Sequence, residues 1–248
     1  MSDLIKKEYE VEEFHKLAIG GSGKVILNQG AETALSIEAP ESVFDELIVK
    51  VVEGELRVGM ESMSGFRFLF NFGRLFESDR ITYYVNVKEI ESLKFSGGLR
   101  VDASSLSVND LKVVNSGAVK ANYESIQGDG LEMIISGSAS VNLGELELNE
   151  LSVRASGSMK MSVDNGSVVR QGVHISGSAD YDAPELTSQE AKFSISGSGK
   201  AKVRVESSLD VSISGSGTIH YSGAASVNQR ISGSGRVKHV TEEQPVTA

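Results

Sequence analysis

Residues 134–163, IISGSASVNLGELELNELSVRASGSMKMSV, contain the repeat from which the fold can be predicted. Two Ser-Gly pairs lie 20 residues apart in it, and the same pair recurs along most of the chain. Five steps of 20 residues are followed by two steps of 18, with pairs that begin at Ser96, Ser116, Ser136, Ser156, Ser176, Ser196, Ser214 and Ser232. A short fixed period indicates one structural unit stacked on copies of itself, so the sequence predicts a solenoid.

Apolar residues occupy fixed columns relative to the Ser-Gly pair. They stand one and three residues before the serine and five after it, with polar residues between, and this period of two is typical of strands with one buried face. A further apolar cluster ten residues past the serine indicates about three short strands per coil. The sequence therefore predicts an all-β fold, a right-handed parallel β-helix, with one continuous buried column that includes Ile135, Ile175, Ile195 and Ile213.

The glycine of each pair is interpreted as a corner residue. Glycine adopts positive φ without steric cost and so allows a strand to turn. We therefore expect positive φ at Gly137, Gly157, Gly177 and Gly197.

The N-terminal third is less regular. Residues 11–95 are predicted to form a β-rich section or cap, residues 96–240 the regular coils, and residues 1–10 and 241–248 flexible ends. Glu53-Gly54 is typical of a hairpin turn, and Pro40-Glu41-Ser42 indicates one short helical turn. Candidate strands are Leu17–Leu27, Ala34–Glu38, Leu47–Val52, Leu56–Met60, Ile81–Val87 and Ser92–Phe95.

Composition narrows the functional classes. The chain has 248 residues and a formal net charge of −10, which argues against nucleic acid as a partner. It has no cysteine, and no apolar run is long enough for a membrane-spanning helix. We expect no cofactor. The charged start, MSDLIKKEYEVEEF, has no apolar signal region, so the protein is expected to be extracytoplasmic if a signal has been removed and cytoplasmic otherwise.

Basic residues recur four positions after the serines. This position holds the basic residues Arg100, Lys120, Lys160, Lys200 and Arg236, which we call the basic stripe, and the intervening coils carry Ser140, Asp180 and Thr218. Stacked coils would align these side chains. Two interpretations stay open: charges that keep a β surface soluble, or a stripe that binds an extended anionic glycan.

One segment, residues 65–76, holds five of the nine phenylalanines. Phe66, Phe68, Phe70 and Phe72 alternate, so an extended strand would place four rings on one face. The face either covers the core or forms an interaction patch for a partner or membrane surface.

Catalytic and metal-binding patterns are sparse. The four histidines, His15, His174, His220 and His239, have no ligand spacing. Some β-helices cleave polysaccharides with clustered carboxylates, and the best such cluster is Asp180, Asp182 and Glu185. A solvated turn explains it better, and we expect no catalytic residue and no metal site.

Several segments of the sequence resemble those of one protein family. FHKLAIGGSGKVILNQG, LSIEAPESVFDELIVKVVEGELRV and ITYYVNVKEIESLKFSGG resemble the opening of the bacterial auto-transporter adhesin "head GIN domain" family, and VNSGAVKANY, IISGSASVNLGEL and VRASGSMKMSV resemble its β-helical body. The resemblance spans residues 11–240. It implies a right-handed parallel β-helix, exported or lipid-anchored, with an adhesive or structural role and no catalytic residues.

The sequence leaves three functions open. The leading hypothesis is a non-enzymatic, exported or cell-surface protein that binds an envelope or extracellular polysaccharide or protein. The alternative is a self-assembling structural scaffold like the bactofilins, in which the chain forms homo-oligomers. A polysaccharide-cleaving enzyme is the third.

Overall fold

The computed structural model describes residues 3–60 and 80–241 of the chain. It contains one short helix, α1 (Glu41–Phe44), and otherwise strands. The strands are β1 (Leu4–Tyr9), β2 (Lys16–Gln29), β3 (Ala34–Pro40), β4 (Leu47–Val52), β5 (Glu55–Met60), β6 (Thr82–Val87), β7 (Ser92–Ala103), β8 (Leu106–Asn115), β9 (Ala118–Ile135), β10 (Ser138–Ala155), β11 (Ser158–Ile175), β12 (Ser178–Ile195), β13 (Ser198–Ile213), β14 (Ser216–Ser222), β15 (Ser226–Ile231) and β16 (Arg236–His239).

The coils stack in parallel, which confirms the predicted solenoid. Each of β9 to β13 pairs in parallel with the next, so that Ser138 faces Ser158 and Ser158 faces Ser178. The fold has about 7 turns of roughly 20 residues. Hydrogen bonding between coils continues around the corners, and a full coil such as Ser138–Ala155 therefore forms one 18-residue element rather than three separate strands.

Alternating burial nonetheless divides each coil into three faces. In β10 the side chains of residues 139, 141 and 143 point inward, then 146 and 148, then 151, 153 and 155. The alternation changes phase at residues 144–145 and 149–150, where the chain turns a corner. Three inward faces enclose one apolar core that extends from Phe14 to Ile219.

The predicted isoleucine column is present. Ile135, Ile175, Ile195 and Ile213 are each at most 1 % exposed, and register pairing places Ile175, Ile195 and Ile213 directly over one another. The column also contains Asn115, which pairs with Ile135 and is 1 % exposed. Neither polar atom of the Asn115 side chain has a hydrogen-bond partner.

The prediction of positive φ at Gly137, Gly157, Gly177 and Gly197 is wrong. None of the four has φ in the left-handed range. A Cβ at any of them would instead overlap the carbonyl oxygen of the glycine one coil earlier. These positions require glycine because the backbones approach closely, and the glycines form one stack: Gly21, Gly97, Gly117, Gly137, Gly157, Gly177, Gly197, Gly215 and Gly233.

Backbone hydrogen bonds join this stack. The Ser158 N–H donates to the Gly137 carbonyl at 3.0 Å, and the Ser156 N–H donates to the Ile135 carbonyl at 2.9 Å. The same pair of bonds recurs at the corresponding serines of the following coils. The Ser-Gly-Ser sequence is thus a structural element that holds one coil on the next.

The N-terminal section joins the solenoid through β2. This strand pairs in parallel with β7 over Lys16–Leu27, so it forms a layer of the same stack. The β1, β3 and β6 strands pair antiparallel at that end, and β4 and β5 form the predicted hairpin, with Glu53 and Gly54 at φ 51° and 72°. The helical turn is α1. Residues 4–9, within the N-terminal end predicted to be flexible, form β1 and pair with β3. The division at residue 95 and the flexible C-terminal end stay predictions.

The change from 20-residue to 18-residue coils is accommodated between β12 and β13. Their register shifts between Ala183 and Thr187 and again between Ser188 and Glu190. Next to this shift lies a buried polar chain. The Tyr181 hydroxyl donates to the Gln171 side-chain carbonyl at 3.0 Å, and the Gln171 amide donates to the Ser188 hydroxyl at 2.7 Å.

Candidate functional site

One outer face of the solenoid carries the basic stripe as an aligned row. Register pairing places Arg100 beside Lys120, and each later member follows across the intervening coils. The complete row, here called the outer ladder, comprises Lys24, Arg100, Lys120, Ser140, Lys160, Asp180, Lys200, Thr218 and Arg236. The residues that flank most ladder members are buried, and alternation therefore directs the outer ladder to solvent.

Lys24 extends the row by one layer, although the Ser-Gly alignment does not predict it. Aligning GGSG on its own serine, Ser22, shifts the register by two residues, whereas the structure pairs Gly20 with Ser96 and Gly21 with Gly97. The corner serine is replaced by glycine in this layer. The apolar column gives the correct alignment, because Leu17 pairs with Leu93 and Ile19 with Phe95.

A second row of polar residues runs beside the outer ladder. This row, here called the polar ladder, lies two residues further along each strand, on the same face: Asp102, Asn122, Asn142, Ser162, Asp182, Lys202, His220 and Lys238. Hydrogen bonds connect it from coil to coil. The Asn142 amide donates to Asn122 Oδ1 at 3.0 Å, and the Ser162 hydroxyl donates to Asn142 Oδ1 at 2.7 Å.

The basic stripe is not neutralised by ion pairs. Among the described residues, Lys24 forms an ion pair with Asp102 at 2.9 Å, but no carboxylate lies within ion-pair distance of any of the five stripe residues. Lys24, Arg100, Lys120 and Lys160 line one open groove of about 630 Å³. Unpaired cations can bind carboxylate or sulfate groups along an extended ligand. The side-chain hydroxyls and amides beside them can bind its sugar hydroxyls.

A second open groove, on another face, contains cations that do form ion pairs. Lys112 bonds Glu132 at 2.9 Å, Arg154 bonds the same carboxylate, and Arg170 lies 3.6 Å from Glu150. The Lys112 hydrogen bond is the largest cause that lowers the pKa of Glu132. Cations there are matched by carboxylates, in contrast to the unpaired row of the basic stripe.

The carboxylates Asp180, Asp182 and Glu185 do not converge on a common point. Asp180 belongs to the outer ladder and Asp182 to the polar ladder, where it pairs with Lys202 at 3.2 Å. Glu185 is exposed, in the segment where the register shifts. The geometry agrees with the interpretation as solvated surface carboxylates.

The four histidines do not gather at one site. His15 lies 3.7 Å from Glu91, and His239 packs against the Tyr221 ring with 4.9 Å between centroids. His174 and His220 stand on other coils. Within residues 3–60 and 80–241, no three metal-ligating side chains group together.

The phenylalanine patch, Phe66, Phe68, Phe70 and Phe72, lies outside the described residues. The prediction of an interaction patch there stays a prediction. No helix in the described part of the chain is long and apolar enough to cross a lipid bilayer.

A protein-family profile matches most of the chain. The profile of the family described as "Putative auto-transporter adhesin, head GIN domain" matches residues 13–225. No curated protein matches the chain in sequence.

Solved structures share the whole fold. A "putative lipid binding protein" from Parabacteroides distasonis ATCC 8503 is 25% identical, covers 96% of this chain and 97% of its own, and has a TM-score of 0.79. A "putative adhesin" from Parabacteroides merdae ATCC 43184 is 19% identical, covers 96% of both chains and has a TM-score of 0.76. A "putative adhesin" from Bacteroides fragilis NCTC 9343 is 20% identical, covers 97% and 98%, and has a TM-score of 0.68. The last two likenesses concern the fold alone.

Proposed function

The chain belongs to the family described as "Putative auto-transporter adhesin, head GIN domain", and we propose that it is a non-enzymatic, extracytoplasmic protein whose stripe face binds an acidic polysaccharide. The observation that carries the proposal is the row of unpaired cations on one face of an acidic protein. Arg100, Lys120 and Lys160 share a groove and lack carboxylate partners among the described residues, although the chain carries a net charge of −10.

The stripe differs from the groove that contains Lys112 and Arg170. In that groove, carboxylates of the protein itself neutralise these cations. A row of like charges one or two coils apart costs repulsion between neighbours, and the cost falls when an anionic ligand binds. The unpaired row therefore favours an anionic partner.

The shape of the face suits a polymer rather than a small molecule. A small anion would meet one or two of the exposed side chains, and each such contact is weak, roughly 0.2–1 kcal/mol. A chain laid along the solenoid axis meets several at once and gains avidity from them. Hydroxyl and amide groups of Ser140, Asn122 and Asn142 stand beside the cations, where they can bond to sugar hydroxyls.

The name of the family supports a role outside the cytoplasm. An adhesive protein requires a long exposed binding surface that keeps its shape. A stack of coils joined by backbone hydrogen bonds at every corner provides such a surface.

Binding to immobilised acidic polysaccharides tests the proposal. We expect binding at low ionic strength that weakens steeply with salt. The triple variant K120S/K160S/K200S should lose most of this binding. It should keep its melting temperature, because all three side chains are exposed.

A control variant separates the stripe from net charge. K112S/R170S/K192S removes the same three charges from other positions, where Lys112 and Arg170 have carboxylate partners. This variant should bind like the unaltered protein. Equal loss in both triple variants, or no binding to any acidic polysaccharide, would contradict the proposal, as would binding to anionic lipid vesicles without binding to polysaccharide.

A further inference from the structure

The cations of the outer ladder do not follow one another at random. From Lys120 onward a basic residue stands on every second layer, in the order Lys120, Lys160, Lys200 and Arg236. The layers between them carry Ser140, Asp180 and Thr218. The alternation therefore continues to the last described layer.

The N-terminal layers, counted with Lys24 as the first, do not follow this alternation. Arg100 stands on an even layer, but Asp102 lies in that layer and bonds Lys24 of the layer before. Asp102 therefore compensates Lys24, Arg100 keeps an unpaired charge, and the alternation begins at Lys120. Further along, Asp182 joins Asp180 in one layer, and Lys202 joins Lys200 in the next.

From Lys120 onward, the summed charge of the outer ladder and the polar ladder therefore rises and falls with a period of two layers. In these two ladders, the odd layers carry a net positive charge and the even layers carry zero or negative charge. From Lys120 onward, the pairs of outer-ladder and polar-ladder residues on the odd layers are Lys120 with Asn122, Lys160 with Ser162, Lys200 with Lys202, and Arg236 with Lys238.

The spacing of the charges selects among polymers. Adjacent coils lie ~4.8 Å apart, so cations on alternate layers lie about 10 Å apart. One sugar of an extended hexopyranose chain advances by a length close to one layer. An anionic group on every second sugar would therefore meet Lys120, Lys160 and Lys200 in turn, while the neutral sugars lie over Ser140 and Asp180.

We propose that the stripe face is matched to acidic polysaccharides with a disaccharide repeat, one anionic and one neutral sugar. This inference rests on the proposed function. A polymer with a carboxylate on every sugar would place one of them over Asp180, where the two negative charges repel. It would also leave the carboxylate over Ser140 without a cation.

Ionic strength determines whether the protein distinguishes polymers by the spacing of their charges. The Debye length is about 8 Å at 0.15 M salt and 30 Å at 0.01 M. At the higher salt concentration, an anionic group of the polymer interacts with one cation at a time, because the next cation lies beyond the Debye length. At the lower concentration the row acts as a uniform line of charge, and the polymer with more charges binds better.

Two probes with equal numbers of carboxylates test the inference. Hyaluronan oligosaccharides carry one carboxylate per disaccharide, and oligogalacturonates carry one per sugar. We expect the protein at 0.15 M salt to bind the hyaluronan oligosaccharide roughly 5-fold more tightly, the effect of about one exposed charge contact. At 0.01 M this preference should disappear.

Filling the even layers should reverse the preference. S140K/D180K places a cation on every layer from Lys120 to Lys200, so oligogalacturonate should become the tighter ligand at 0.15 M. The control Q127K/E147K adds the same charge at exposed positions outside both ladders, and it should keep the preference of the unaltered protein.

The failure of this inference differs from the failure of the proposed function. If oligogalacturonate binds the unaltered protein equally well or better at 0.15 M, and K120S/K160S/K200S binds neither probe, the face binds acidic polymers but charge spacing does not select them. That result overturns the inference and leaves the proposed function in place. If neither probe binds even at 0.01 M, both are overturned.

Discussion

Gly157 lies directly over Gly137, so closely that the Gly137 carbonyl oxygen occupies the space that a Cβ of residue 157 would need. The same relationship links every Ser-Gly pair to the pair one coil away. A steric requirement between coils therefore maintains the repeat along the chain, and the Ser158 N–H bonds the same carbonyl at 3.0 Å.

Replacing Gly157 by alanine should destabilise the protein strongly. A single added methyl group must push two backbones apart, and overpacking of this kind costs roughly 1–3 kcal/mol or more. Urea unfolding measures the loss. Gly172→Ala is the matched control in the same coil, because a Cβ there meets nothing within 4 Å, and an equal loss in both variants would contradict the stacking argument.

Ile195→Asp should prevent folding or lower the melting temperature drastically. Ile195 is 1 % exposed and lies between Ile175 and Ile213, so the new carboxylate would be buried without a partner. Thermal unfolding followed by circular dichroism measures the effect. Val169→Asp, at a position 42 % exposed, should unfold like the unaltered protein. Normal stability of Ile195→Asp would show that the core register is wrong.

The core could be predicted because two periods coincide in the sequence. Alternation marks which side chains point inward, and the 20-residue repeat marks which ones stack, so the sequence alone aligns Ile175 with Ile195. The glycine geometry could not be predicted in this way. A Ser-Gly sequence is compatible with a tight turn or with close stacking, and only the distance between coils distinguishes them.

The site could be predicted in part for the same reason. The basic stripe follows from the repeat register, but Lys24 lies in a layer whose corner is Gly20-Gly21, and the Ser-Gly alignment therefore misplaces it. The polar ladder was not predictable because its members, such as Asn122 and Ser162, differ in residue type and share only their position. The contacts that link Gln171 to Ser188 depend on a register shift, which sequence spacing alone does not locate.

Asn115→Val should stabilise the protein. Asn115 stands in the apolar column beside Ile135, and its amide and carbonyl are buried without partners. An unsatisfied buried polar group costs roughly 1–3 kcal/mol, and a branched apolar side chain fits the column. The midpoint of urea unfolding should rise. Asn165→Val, at an exposed position, should change it little, and a lower midpoint for Asn115→Val would mean that the amide has a role in stability.

Glu55→Gln should reduce stability at neutral pH and weaken its dependence on acid. Glu55 is 6 % exposed and bonds Lys94 Nζ at 2.6 Å and Arg57 Nε at 2.5 Å. The Lys94 hydrogen bond is the main cause that lowers the pKa of Glu55. The folded state therefore gains stability above the unfolded pKa, about 4.3, and loses it as pH falls through the lowered folded value.

The test for Glu55 compares urea unfolding at pH 7 and at pH 3. The unaltered protein should lose more stability between these values than Glu55→Gln does, and the difference at pH 7 should be about 1–3 kcal/mol. Glu190→Gln, an exposed carboxylate without an ion pair among the described residues, is the control. Parallel pH curves for Glu55→Gln and the unaltered protein would rule out this linkage.

Asp180→Ser should strengthen binding of acidic polysaccharides to the stripe face. Asp180 pairs in register with Lys160 on one side and with Lys200 on the other, so its carboxylate reduces the positive potential where an anionic polymer would pass. Removing it should increase affinity by roughly 2- to 5-fold at low salt, within the range of one exposed charge contact. The gain should be larger for a polymer with a carboxylate on every sugar, because that polymer brings a charge directly over Asp180.

Titration calorimetry at two salt concentrations measures the effect of Asp180→Ser. Glu190→Ser removes the same charge at a position outside both ladders and should leave affinity unchanged. The gain from Asp180→Ser should shrink at 0.15 M, because screening shortens the reach of the carboxylate. Equal affinities for Asp180→Ser and the unaltered protein at low salt would show that the polymer does not lie along this row.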